Sequence, residues 1–312
     1  MDYRELQEDV SSRWWQHAVS GELEEAWQQS DRLLGARVDF SRLPRFFRPL
    51  WDGRPIDDAH VWLRCWRGLG DALHFIRYAP WLRARCACLT LEVSQPLLRL
   101  FSGLEGIDRL TELDEHRLLD PSVVQVESTE LPYVFRSTLA SLPAKVPYLA
   151  VERGRRVPRD GRLHIGLCWQ GGEYDPRRKI ILAGLAGLRL GPDVAFWHLQ
   201  RGEALEQIPG SEFTFENLTD SSMDVLDTAS LVAGLDLVIT VDSMVAHLAG
   251  ALARPVWTLL HADPDWRWFR GRMDSPWYPT MRLYRQLEPG CWSDVFTRMR
   301  ADLKAQLVCR NR

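Results

Sequence analysis

Three polar residues that follow one apolar segment have a spacing suited to anion binding. Residues 235–241 form an apolar, β-branched run with the length of a buried strand. Asp242 ends this run, and Ser243 and His247 then stand four residues apart in a helical pattern, so they share one helix face. The N–H groups at the start of a helix can hold a phosphate, with a hydroxyl and an imidazole as further donors. The alternative is a serine cap beside an aspartate, followed by a histidine that packs in the core.

A second candidate site is the loop Gly68-Leu69-Gly70-Asp71, which follows a strand predicted over 60–66 and precedes a helix predicted over 72–83. Gly68 and Gly70 would let the backbone approach a bound molecule closely. The carboxylate of Asp71 could then accept a proton from a substrate hydroxyl. The alternative is that Asp71 caps the helix after a tight turn.

A third loop, Gln170-Gly171-Gly172, follows a strand predicted over 163–169, and the cations Arg177, Arg178 and Lys179 come soon after it. Arginine matches phosphate oxygens in a bidentate geometry, so this loop suits a diphosphate. The alternative is a solvated basic loop. Gln200 directly follows the next predicted strand, 194–199, and could contact a base or a ribose.

Composition narrows the class of protein. The composition, 46% hydrophobic and 26% charged, is typical of a folded protein. The length of 312 residues exceeds what one core usually serves, so we expect two lobes. Its net charge of -3 argues against nucleic acid as a partner. No apolar run approaches the roughly 20 residues of a transmembrane helix. The acidic N-terminus does not resemble a signal peptide, so we predict a cytoplasmic protein.

The six cysteines match no zinc-binding spacing, and we predict neither a metal ion nor a disulfide. Tryptophan is unusually frequent, with 14 residues, of which several cluster near the C-terminus. Such side chains can stack on sugars, and they serve equally well in a core.

Alternating strand and helix patterns predict an α/β fold with largely parallel sheets. We place a helical N-terminal segment at 1–43, a first lobe at 44–155 and a second lobe at 156–312. The charged stretch 151–161, with few apolar residues, suits the linker. We expect that the last helix could pack back on the first lobe.

Five segments together resemble the bacterial glycosyltransferases related to the heptosyltransferases, the family 9-like domain often found behind tetratricopeptide repeats. The block DLVITVDSMVAHLAGALARPVW is the most specific of the five. In chain order the segments span 68–85, 164–172, 197–203, 236–257 and 265–286. Residues 20–34 are similar to the last helical repeat that precedes this domain in longer relatives.

This resemblance implies a GT-B fold, in which two Rossmann-like lobes with parallel sheets face a cleft. It implies inverting, metal-independent transfer from a nucleotide diphosphate sugar to a glycan, a lipid-linked or a protein acceptor, with no separate cofactor. The family's proposed base falls on Asp71, and its phosphate-binding residues fall on Asp242, Ser243 and His247. Its basic residue in the second-lobe loop falls on Arg178 or Lys179.

One departure from the family concerns the residues just before the GLGD loop. Relatives often carry Glu-Gln there, whereas this chain has Trp66-Arg67. The replacement indicates a changed acceptor or a loss of catalysis. The alternative to a glycosyltransferase is therefore an inactive GT-B scaffold or a nucleotide-binding protein.

Overall fold

The apolar runs form two parallel sheets, each in its own α/β unit. A computed structural model describes residues 3–36, 49–151, 157–216 and 224–310. Unit 1 consists of Met1–Ala144 and Asp265–Arg272, and unit 2 consists of Lys145–Pro264 and Met273–Arg312. The predicted boundaries at 43/44 and 155/156 lie outside the described residues.

Unit 1 is built on four parallel strands in the order β3-β2-β1-β4. Along the chain these strands alternate with short helices, the pattern expected of right-handed crossover connections. The strands are β1 His60–Arg64, β2 Cys88–Val93, β3 Arg109–Glu112 and β4 Val124–Glu127. The helices are α1 Tyr3–Ser20, α2 Leu23–Gly35, α3 Leu69–Phe75, α4 Ala79–Arg83, α5 Leu98–Phe101 and α6 Leu131–Val134.

The helix predicted over 72–83 is interrupted. Helix α3 begins earlier, at Leu69, and the 3₁₀ turn Ile76–Tyr78 separates it from α4. Pro80 stands near the start of α4, where its missing N–H is tolerated. Asp71 therefore lies inside the first turn of α3, not in the loop before it.

Helices α1 and α2 pack into unit 1. The indole Nε1 of Trp27 donates a 2.7 Å hydrogen bond to the carbonyl oxygen of Ser137. Asp31 accepts hydrogen bonds from Tyr133 and Arg136 at 2.6–2.8 Å. The described part of the predicted N-terminal segment is thus continuous with the first unit.

Unit 2 is built on six strands in the order β6-β5-β7-β8-β10-β9, of which only the short β9 is antiparallel to its neighbour. The strands are β5 Leu163–Cys168, β6 Val194–His198, β7 Leu237–Val241, β8 Val256–Leu260, β9 Asp274–Ser275 and β10 Tyr278–Arg285. The helices are α7 Val225–Val232, α8 Met244–Ala251 and α9 Ser293–Arg310. Phe215 makes one isolated bridge with Phe196 of β6.

The last helix differs from the prediction. Helix α9 buries Val295, Met299 and Leu303 in the core of unit 2, together with apolar residues of β5 and β7. Residues 265–272 are instead the part of the C-terminal half that belongs to unit 1. An apolar stripe on α9 indicates burial but does not identify the core that receives it.

Two further features of the described residues bear on the class of protein. All six cysteines are free thiols. Within the described ranges, no helix combines the length and the apolar character needed to cross a bilayer.

Candidate functional site

The predicted site residues of unit 2 collect at one edge of its sheet. Strands β5, β6, β7 and β8 run parallel, so their carboxyl ends meet at this edge. Ligands of such open sheets bind beyond these ends. The residues that follow the four strands are Trp169, Leu199, Asp242 and His261.

Ser243 forms the cap predicted for helix α8. Its hydroxyl oxygen accepts a 3.2 Å hydrogen bond from the N–H of Val245 and lies 2.9 Å from the hydroxyl oxygen of Thr240. The side chain is half-buried at the carboxyl edge, next to the start of an eight-residue helix. The capping role and a location suited to phosphate therefore coincide in one residue.

The glycine loop, Gln170-Gly171-Gly172, packs directly against the turn between β7 and α8. A Cβ atom on Gly171 would lie 2.9 Å from the carbonyl oxygen of Asp242, so a side chain there would force the two segments apart. Gly172 faces open space, with no atom within 4 Å of a Cβ placed on it. The absence of a side chain at Gly171 is what lets the loop and the turn share one surface.

Arg178, not Lys179, reaches this turn. Its guanidinium Nη1 donates a 3.4 Å hydrogen bond to the carbonyl oxygen of Asp242, and its Cβ would lie 3.6 Å from one on Gly171. Lys179 points to a different partner, because its Nζ lies 2.7 Å from the carboxylate of Glu173. The geometry favours Arg178 as the cation of the site.

Gln200 has a role that the sequence did not indicate. Its buried side-chain oxygen accepts hydrogen bonds of 3.0 Å and 2.9 Å from the N–H groups of Trp169 and Gln170. Its amide nitrogen donates to the carbonyl oxygen of Arg201 at 3.0 Å. The structure thus assigns Gln200 to the support of the glycine loop, in place of the predicted contact with a base or ribose.

His247 lies in the interior, with 3% of its surface exposed. Its Nδ1 is 3.0 Å from the phenolic oxygen of Tyr278, which in turn lies 3.3 Å from that of Tyr148. This burial corrects the expectation of an imidazole that faces a ligand at the helix surface. The residue holds α8 against β10, the packing role that was its alternative.

Two residues that the sequence analysis missed join the same edge. His261 directly follows β8, and its Nε2 lies 3.2 Å from a carboxylate oxygen of Asp175. Hydrogen bonding from Arg177 lowers the pKa of Asp175 to about 2, and burial lowers the pKa of His261. The apolar run 256–260 directly before His261 was a usable signal.

Asp71 of unit 1 uses both carboxylate oxygens. One accepts a 3.2 Å hydrogen bond from the N–H of Gly68, which is the N-cap of α3, and Gly70 lies in the first turn of that helix. The other lies 2.8 Å from the guanidinium of Arg267. Part of the Asp71 side chain, 22%, remains exposed.

The unusual pair Trp66-Arg67 is directed at two acids. The indole N–H of Trp66 donates to Glu92 at 3.2 Å, and Arg67 lies 3.6 Å from Glu127, the last residue of β4. Glu92 is also paired with the buried Arg64 at 2.7 Å. Burial raises the pKa of Glu127. These contacts pair buried acidic side chains with arginines at the edge of the unit 1 sheet.

Among the residues that the structure describes, no cluster of three or more His, Cys, Asp or Glu side chains is arranged to hold an ion.

Comparison with known proteins identifies the part of the chain around β7 and α8. Residues 196–277 match the sequence model of glycosyltransferase family 9 (heptosyltransferase). The protein FlbA of Caulobacter vibrioides is 24% identical over 323 residues, which cover 91% of this chain and 53% of FlbA. The chain therefore spans about half the length of this curated relative.

Solved structures agree on the fold. The ADP-heptose lipopolysaccharide heptosyltransferase II of Escherichia coli superposes with a TM-score of 0.58 at 16% identity, over 81% of this chain and 100% of that one. E. coli heptosyltransferase WaaC with ADP-2-deoxy-2-fluoro heptose gives 0.50 at 13% identity over the same shares. The fold class predicted from the sequence, GT-B, is confirmed. The chain has the fold of these heptosyltransferases, and its residues 196–277 carry the glycosyltransferase family 9 signature.

Proposed function

We propose that this protein is a glycosyltransferase that moves a sugar from a nucleotide diphosphate sugar to an acceptor hydroxyl. The observation that carries the proposal is the contact of the Gly171 loop with the Asp242–Ser243 turn, and this turn lies within residues 196–277, which match the family model. That contact joins an open backbone loop, a cation and a helix start at the ligand edge of the sheet.

Unit 2 binds the donor in this proposal. The N–H groups at the start of α8 and the guanidinium of Arg178 would hold the diphosphate, because both present donors and positive charge to phosphate oxygens. Gly172 would let the loop backbone approach the ligand. Ser243 would add its hydroxyl. His247 would act indirectly, by keeping α8 in place through Tyr278.

Asp71 is the proposed base. The acceptor oxygen attacks the anomeric carbon of the sugar and forms a new bond as the bond to the diphosphate oxygen breaks. The hydroxyl proton passes to the Asp71 carboxylate, and the electron pair of the broken bond leaves with the diphosphate. A single displacement inverts the anomeric centre. Donors in unit 2 stabilise the charge on the leaving group, so the mechanism needs no metal ion.

The proposed reaction also needs a nucleotide base in the donor and a class of acceptor. The WaaC structure contains an ADP-heptose analogue, which makes ADP-sugars the first candidates to test. The acceptor is a glycan, a lipid-linked sugar or a protein, and the reaction takes place in the cytoplasm.

The test combines binding with transfer. Thermal unfolding is measured with ADP-, UDP-, GDP- and dTDP-sugars, since ligand at about 100 times its Kd stabilises a folded protein by roughly 2.7 kcal/mol. The sugar that binds is then supplied with acceptor fractions, and release of the nucleoside diphosphate is followed. Asp71→Ala should abolish transfer and retain donor binding. Transfer by Asp71→Ala at the wild-type rate would overturn the base assignment, and no affinity for any of the four classes would overturn the proposed donor.

One observation favours the alternative, a GT-B protein that binds a nucleotide without transferring sugar. Asp71 caps α3 through the N–H of Gly68 and forms an ion pair with Arg267, so a structural role accounts for both of its contacts, and the remaining lone-pair positions alone are available to a hydroxyl. Such a protein would bind a nucleotide sugar in the thermal assay and release no diphosphate with any acceptor fraction. The two functions are therefore separated by the same pair of measurements.

A further inference from the structure

We propose that helices α1 and α2 control the geometry of Asp71 through residues 265–272, with Arg267 as the positioning residue. The inference rests on the proposed function only in taking Asp71 as the base. All of the contacts that carry it lie within unit 1. It gives the N-terminal helices a part in the reaction.

The first link joins the helices to the segment through tryptophan rings. Trp266 is 7% exposed, and its ring packs edge-on against Trp14 of α1 at 5.6 Å and Trp27 of α2 at 6.4 Å between centroids. The backbone adds a second attachment, because the N–H of Arg270 donates a 2.6 Å hydrogen bond to the carbonyl oxygen of Val19. Aromatic pairs in these geometries are attractive beyond their buried area.

Trp27 anchors this cluster to the rest of the unit. It is 3% exposed, and its indole N–H reaches the carbonyl oxygen of Ser137. Its ring also lies 6.0 Å from that of Tyr133. The tryptophan cluster is thus fixed on one side by α6 and the residues after it, and it supports Trp266 on the other.

The second link runs from Trp266 to its neighbour. Both residues belong to the 3₁₀ helix Trp266–Trp268, so a displacement of the indole displaces the next side chain as well. Asp265 fixes the Arg267 side chain with a 2.8 Å hydrogen bond from Nε. The guanidinium carbon lies 5.3 Å from the centre of the Phe75 ring. Arg267 therefore has a defined direction and little freedom.

The third link is the ion pair itself. Arg267 Nη2 lies 2.8 Å from Oδ1 of Asp71, and the side chain of Arg267 is only 10% exposed. A carboxylate has about four lone-pair positions, so the two present partners leave room for an acceptor hydroxyl. The arrangement is that of a base oriented by a third group, as in other activated catalytic sites. Small displacements of such a base are costly, because transfer depends on a short, aligned approach.

Hydrogen exchange of the full chain tests the coupling without any activity. Trp14→Ala should speed exchange in peptides that cover 265–272 and 68–75, by about tenfold, since local opening becomes easier when packing is removed. The matched control is Trp15→Ala, which removes the same side chain from the next position of α1, where it is exposed and outside the cluster. The control should leave both peptides at their wild-type rates.

A second pair of variants tests Arg267 with minimal risk to folding. Arg267→Gln should speed exchange in the peptide 68–75, whereas Arg270→Gln, which alters an exposed side chain in the same segment, should not. If Trp14→Ala changes exchange only within α1 and α2, or if Arg267→Gln leaves 68–75 unchanged, the coupling is wrong. Neither result depends on whether the protein transfers sugar.

Kinetics then separate a positioning role from a structural one. In a transfer assay, Arg267→Gln should lower kcat by about 100-fold with the KM for the nucleotide sugar nearly unchanged, as expected for misplacement of a catalytic group. Arg267→Lys should restore part of kcat. Equal losses in the two variants, or a rise in KM alone, would overturn the positioning role. A wild-type protein that fails to transfer would overturn the proposed function and leave the exchange result to decide the coupling.

Discussion

The phenolic oxygen of Tyr278 lies 3.0 Å from Nδ1 of His247, and this contact ties helix α8 to strand β10 inside unit 2. The ring of Tyr278 passes so close to α8 that a Cβ atom on Gly250 would collide with its Cδ1. Gly250 follows His247 by three residues and so shares its helix face. Helix α8, which begins at the predicted phosphate site, is therefore positioned by Tyr278, the first residue of β10.

Gly250→Ala should destabilise the protein. In an open helix the same change stabilises by about 1 kcal/mol, because alanine is the better helix former. Here the methyl group meets a buried ring, and overpacking of this kind costs roughly 1–3 kcal/mol. The free energy of unfolding, measured by urea titration, should fall. Gly187→Ala is the control, since the nearest atom to its Cβ would be 3.7 Å away. A Gly250→Ala protein as stable as wild type would contradict the packing of Tyr278.

Glu130 predicts a dependence of stability on pH. Its carboxylate accepts N–H groups of Leu50, Trp51 and Glu127 at 2.8–3.1 Å, yet burial raises its pKa from 4.5 to about 7. Between these values the folded state binds more protons than the unfolded state. The stabilisation by Glu130 is fully present below the pKa of this residue in the unfolded state and is lost as the pH rises through its pKa in the folded state. The free energy of unfolding therefore falls across this window.

Glu130→Gln should flatten this slope, because the amide does not titrate. A pKa difference of one unit corresponds to about 1.4 kcal/mol, so urea titrations between about pH 4.5 and 7.5 resolve the effect. A constant offset from the altered hydrogen bonds does not change the slope. The exposed Glu105→Gln serves as control and should keep the wild-type slope. Identical slopes for Glu130→Gln and wild type would show that Glu130 is ionised throughout.

The sequence predicted what depends on neighbouring residues. The run that ends at Val241 formed β7, and Ser243 capped α8, because strand length and cap chemistry are local. The glycine loop after β5 was found for the same reason. Two parallel sheets followed from the alternation of these units, and the comparisons confirm the fold.

Contacts between residues far apart in the chain could not be predicted from local sequence patterns. Arg267 meets Asp71 because Trp266 packs on the N-terminal helices, and no local spacing encodes that packing. The choice between Arg178 and Lys179 depends on which side chain faces Asp242, a matter of loop geometry. The partners of Gln200 are likewise set by how β5 and β6 align. Motif positions therefore predicted a candidate site, whereas the contacts of its side chains required the tertiary structure.

Arg178 and Lys179 should contribute unequally to ligand binding. Arg178→Ala should weaken the binding of a nucleoside diphosphate by at least about tenfold, since a hydrogen bond to a charged group is worth roughly 1.5–3 kcal/mol. Lys179→Ala should change the Kd by less than about threefold, because an exposed pair with Glu173 contributes little. Calorimetry with ADP, UDP and GDP measures both. A larger effect in Lys179→Ala would reverse the assignment.

Gln200 should prove essential to the glycine loop without touching a ligand. Removal of its side-chain oxygen leaves the N–H groups of Trp169 and Gln170 without an acceptor they now use, and each unsatisfied buried donor costs roughly 1–3 kcal/mol. Gln200→Met keeps the volume and Gln200→Ala opens a cavity, so comparison of their unfolding free energies separates lost hydrogen bonds from lost packing. If the lost hydrogen bonds are the cause, Gln200→Met should also lower the free energy of unfolding. It should also speed hydrogen exchange in residues 169–172. A methionine variant with wild-type stability and exchange would mean that the loop holds its shape without Gln200.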